Sequence, residues 1–198
     1  MSAMDGKRQS YRDRYFSDNE AVRVAANNWK GYKVIYRYVG LWKSWECPSG
    51  GIKQRKLLVG AAELASICLY MLCAAADAPI NRVRVASGLG ILSIIPWLLE
   101  ISGIIRFALA KEYVKEMSMD EIDRSIRYGC FLRAALVVLS GLVGMGNCFS
   151  SGTANGQDVL LLAGILASAL LSFVIWRLYG KLLINTYRNA NGSPGSKI

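Results

Sequence analysis

Histidine is absent from the chain. That removes the side chain most often used to move protons near neutral pH, His-containing zinc sites, and any Ser-His or Cys-His nucleophile pair. Cysteine is scarce and poorly spaced for metal or redox work: Cys47, Cys68, Cys73, Cys130 and Cys148 contain no C-x-x-C. No cofactor, metal or catalytic constellation is therefore expected, and the chain does not read as an enzyme. Acids are few relative to bases, 14 against 24, which leaves a net charge of +10. In a soluble protein that excess would point to nucleic acid, but no reading motif accompanies it, and nucleic acid is not expected as a partner. No signal peptide is read either, because the first apolar block starts near Leu57.

What the chain does have is long apolar runs. Four blocks reach the roughly 20 residues needed to cross a hydrocarbon core: 57–76, 85–109, 128–149 and 159–184. Backbone groups in lipid must bond within their own segment, so each block is expected to be a helix. The blocks do not alternate, which argues against a barrel. Short connectors, DAPINRVR and SSGTANGQ, join the blocks in pairs, and the middle connector, 110–127, is charged. In that connector the second helix is expected to continue to about Glu116. A new helix should open near Met119, with Ser118 and Glu121 spaced as a capping box.

Basic residues outside the blocks are lopsided. The N-terminal segment carries twelve Lys and Arg, the middle connector four and the tail two; the other two connectors carry only Arg82 and Arg84. Eighteen against two places both termini on the cytoplasmic side of the cell (plasma or inner) membrane. The expected fold is thus an all-α, four-helix integral membrane bundle, N-in and C-in. The tail, 185–198, is expected to be disordered, and the N-x-S at Asn191 is discounted as a glycosylation site because it falls inside.

Ahead of the bundle lies a basic and aromatic segment, 1–56. Placed on a helical wheel over about 18–45, Lys30, Lys33 and Arg37 share one narrow face, with Trp29 and Trp42 in the arc opposite. That pattern predicts an amphipathic helix in the headgroup plane, opening at Ser17–Glu20. Trp29, Lys30, Lys33, Arg37 and Trp42 are its candidate contacts with anionic lipid headgroups.

Four charges interrupt the apolar blocks: Glu63, Glu100, Arg106 and Arg133. Each costs about 2.5–3.5 kcal/mol at a bilayer centre on insertion scales. Counted at 1.5 Å per residue, all four lie in the same half of the membrane, which predicts mutual pairing. The faces agree. Glu63 shares one with Gly60, Ser66 and Tyr70; Glu100 with Gly90, Ser93, Pro96 and Gly103; Arg133 with Ser140, Gly144 and Asn147. Block four carries Gly164, Ser168 and Ser172 at spacing four, and such small or weakly polar faces are where membrane helices touch. A glutamate embedded in a first span, as Glu63 is, resembles the small multidrug transporters. The resemblance covers that one residue and implies a proton or cation site there.

Three functions remain open, the least favoured being a membrane enzyme, for which no nucleophile–base or metal constellation is spelled out. The favoured one is a non-enzymatic subunit, accessory or scaffold of a membrane complex, with a membrane protein or a second copy as partner. It needs the embedded acids dry and paired. The alternative is a small secondary transporter or channel, which needs Glu63 or Glu100 facing water. Cys73 and Cys148 fall near one membrane surface, and buried thiols are favoured over a disulfide.

Overall fold

The computed structural model describes residues 18–27, 29–47, 51–190 and 193–197. The capping position Ser17 and the acceptor Asn191 lie outside them. Among the described residues the elements run β1 (Asn19–Ala25), β2 (Tyr32–Tyr38), β3 (Trp42–Glu46), α1 (Ile52–Ala75), α2 (Pro79–Arg82), α3 (Arg84–Leu92), α4 (Ile94–Leu109), β4 (Val114–Lys115), α5 (Glu116–Ser150), α6 (Gly156–Gly180), β5 (Leu183–Ala190) and β6 (Ser193–Lys197). Four helices are long and apolar enough to cross a membrane: α1, α3–α4 together (Arg84–Leu109), α5 and α6. The chain has the architecture of a multi-pass membrane protein, mostly helical, with two small sheets added.

The chain divides into two units, one holding 1–44, 113–116 and 185–198, the other 45–112 and 117–184. The first is where the all-α expectation fails. Residues 19–38 form an antiparallel hairpin, not an amphipathic helix, with Asn19 opposite Tyr38 and Ala25 opposite Tyr32. The reason lies in the period. Tyr32, Val34, Tyr36 and Tyr38 alternate with Lys33, Ile35 and Arg37, and β-branched and aromatic residues favour an extended backbone. The same bases also cluster on a helical wheel, which is how the wheel misleads. Gly31 at φ +69° turns the hairpin, and the N–H of Ala26 donates to its carbonyl at 3.2 Å.

The second sheet has the order β4-β3-β5-β6. It takes up the tail, which was expected to be disordered, through pairs such as Ala190 with Ser193. Tyr38 is 7% exposed; its hydroxyl donates to the carbonyl of Leu41 at 2.7 Å, and burial pushes its pKa above the ordinary tyrosine value. Lys43 pairs with Glu116 at 3.0 Å.

In the helical unit, α3 and α4 break at Ser93, since Pro96 has no N–H to return to Leu92. Helix α4 ends at Leu109, short of the expected Glu116, because Val114 and Lys115 pair with β3 instead; the ammonium of Lys56 takes the carbonyl of Ala110 at 2.6 Å. Helix α5 opens at Glu116, so Ser118 lies within it and caps nothing. At the same end of the bundle Trp45, Phe107 and Tyr179 meet edge to face, with centroids 5.0 and 5.2 Å apart. At the other end Asn155 and Asp158 form a reciprocal capping box for α6, with bonds of 3.0 and 3.1 Å.

Candidate functional site

Close helix approach builds the centre of the bundle. A methyl group added at Gly129 of α5 would lie 2.7 Å from the backbone nitrogen of Glu100, and one at Gly103 of α4 3.1 Å from that of Ile126. Glycine at both positions lets α4 and α5 touch backbone to backbone, as small residues do in membrane helix pairs. That contact carries Glu100 inward, where it is 0% exposed. Arg133 lies one turn along α5 from Gly129, so it reaches the same level.

There Arg133 meets all the other spans. Its Nη1 donates to Glu63 of α1 at 3.4 Å and to Glu100 of α4 at 3.3 Å. Its Nη2 donates to Ser66 of α1 at 2.8 Å and to Ser168 of α6 at 3.5 Å. Trp97 of α4 places its ring 5.3 Å below the guanidinium and gives its N–H to Glu63 at 3.0 Å. The thiol of Cys130 donates to Glu100 at 3.2 Å. Ser66 and Ser168 are hydrogen-bonded to each other at 3.1 Å and to each other's carbonyls at 3.0 and 3.1 Å, which ties α1 to α6. Glu63 is 4% exposed and Arg133 2%.

The structure thus brings together three of the four embedded charges. Arg106 stays apart: half exposed, it reaches Glu121 on α5 at 3.0 Å, a pair of the kind worth at most about 1 kcal/mol. The shared faces largely hold. Ser66, Ser93, Ser168 and Ser172 are buried, Tyr70 donates to the carbonyl of Gly90 at 3.2 Å, and Ser140 to that of Ala86 at 2.7 Å. Asn147 is exposed instead. Cys73 and Cys148 are buried free thiols.

Sequence reasoning missed Asp158. It is 0% exposed, and beyond its cap it accepts the N–H of Ile80 at 3.0 Å, joining α2 to the start of α6. The signal was present as Asn155-x-x-Asp158, which runs across the end of the SSGTANGQ connector. Of the headgroup candidates, Trp29 is 91% exposed beside the ammonium of Lys30, 4.9 Å from its ring, and Lys33 and Arg37 share one face of β2. Trp42 is not exposed with them; it packs edge to face on Tyr38 at 5.3 Å. Among the described residues no group of three or more His, Cys, Asp or Glu is placed to hold a metal.

Comparison with known proteins identifies no relative: no family model matches the chain, and no curated protein or solved structure is similar to it.

Proposed function

We propose that the chain is a non-enzymatic subunit of a membrane complex, its four spans pinned from within by the Glu63–Arg133–Glu100 cluster. The observation that carries this reading is the burial of all three charges with their partners supplied by four different helices. A charge that serves transport needs a path to water. Both acids here are bonded to protein groups. Meanwhile the second span turns a row of large aliphatic side chains outward, Ile91, Ile95 and Leu98, at helical spacing and 61–68% exposed. That row is the surface offered to a membrane partner.

The orientation proposed is N-in and C-in, in the cell membrane, supported by the eighteen-to-two basic count. A reporter at Thr153 should then read the side opposite to one at Ser118, and matching signals contradict the orientation. The hairpin is proposed to meet anionic headgroups through Trp29, Lys30, Lys33 and Arg37.

The experiment is photocrosslinking in native membranes. A photoreactive residue at Ile95 or Leu98 should give a discrete protein adduct, either a second copy or another chain. Adducts to lipid alone would contradict the subunit reading. A second reading, proton-linked transport, draws on one observation: Glu63 lines a groove between α1 and α4. Proton-coupled flux in vesicles that vanishes with Glu63→Gln, while folding is kept, would put transport first.

A further inference from the structure

The groove that favours the second reading has a shape of its own. It occupies about 680 Å³ between α1 and α4, within the usual range for a ligand site. Leu57, Leu64 and Ile67 line it from α1, and Ile101, Ile104 and Ile105 from α4. Glu63 is the one acid on its walls, already held by Arg133 and Trp97. At one end stand two bases, Lys53 and Lys56.

Lys53 and Lys56 belong to the first turn and a half of α1, which opens at Gly51 without a side-chain cap. The positive end of the helix adds to the two ammonium charges. The ammonium of Lys56 is bonded to the carbonyl of Ala110, and Lys53 is exposed. From Lys56 to Ile67 the groove wall runs about 16 Å along the helix. One leaflet of a hydrocarbon core is about 15 Å thick. Charge sits at the mouth and apolar surface runs one leaflet deep. A side chain added at Gly60, on the wall, meets no atom within 4 Å, so the space there is open.

We infer that this groove holds one acyl chain of an anionic phospholipid, its phosphate against Lys53 and Lys56. The lipid wedges between the first and second spans on the side where α1 begins. Occupancy depends on the groove and the lysines, and it is separable from what Arg133 does for the bundle.

The test uses the full chain purified from vesicles of equal dioleoyl phosphatidylglycerol and dioleoyl phosphatidylcholine, with retained lipid counted by native mass spectrometry. One phosphatidylglycerol should be kept over phosphatidylcholine by about tenfold or more. Lys53→Gln should bring that ratio at least threefold toward parity. Gly60→Leu should abolish the retained lipid while the melting temperature holds or rises, since leucine is the better helix former. Ala108→Leu fills the same groove from the α4 wall and should act alike, which covers the case in which one variant fails to fold. Inorganic phosphate should not displace the lipid. Parity in the parent, retention undiminished in both filled variants, or displacement by phosphate overturns the inference. The stability of Arg133 variants reads the pinning reading independently, so the two fail separately.

Discussion

At the scale of single residues, chemistry that needs a partner is the part least visible along the chain. Glu63, Glu100 and Arg133 announce themselves as charges in apolar runs, and depth alone predicts that they meet. Arg106 announces itself equally, yet the face of α4 it occupies points to Glu121. Asp158 is silent because it lies beyond the apolar block, where an acid is ordinary. Its two jobs make it expensive to lose. Asp158→Ala leaves the Asn155 cap bond in place but strands the N–H groups of Asn155 and Ile80, at about 1–3 kcal/mol for each one that is buried. We expect a loss of roughly 2–4 kcal/mol by the same principle, read by denaturation in detergent. Asn155→Ala removes only the cap bond from the N–H of Asp158, worth about 0.5–2 kcal/mol, and should cost less. A loss for Asp158→Ala no larger than that for Asn155→Ala would contradict a stabilising tie from Asp158 to Ile80.

At the scale of elements, the apolar blocks are legible because lipid leaves the backbone one option, and four helical stretches long and apolar enough to cross a membrane are found. The soluble segments are not so constrained. Between Asn19 and Tyr38 the bases satisfy both a helical wheel and a two-residue alternation, and alternation with Tyr, Val and Ile at successive positions decides for strands. Helix crossings depend on where glycines face, which periodicity alone does not show. Gly129 and Gly146 lie on the same helix, but only Gly129 abuts the backbone of its neighbour; a side chain at Gly146 meets nothing within 4 Å. Alanine gains up to about 1 kcal/mol of helix propensity over glycine, while overpacking costs about 1–3 kcal/mol. Gly146→Ala should therefore raise the melting temperature, and Gly129→Ala should lower it by pushing α5 off Glu100. A stabilising Gly129→Ala would refute the close crossing.

At the scale of the whole molecule, Arg133 is proposed to pin four spans by balancing two acids. Magnitudes say which of its contacts matters. A hydrogen bond between membrane helices averages about 0.6 kcal/mol, so Ser66→Ala or Ser168→Ala should be mild. Leaving a buried charge without its partner typically costs about 3–5 kcal/mol. The direct measurement is thermal stability in detergent for Arg133→Leu, for Glu63→Gln with Glu100→Gln, and for all three changes together. Arg133→Leu alone should be the least stable of these. Adding the two glutamine changes removes the stranded carboxylates and should recover most of the loss. If the triple variant is instead less stable than Arg133→Leu by the full cost of the glutamine pair, the losses are additive and Arg133 does not hold the bundle through Glu63 and Glu100.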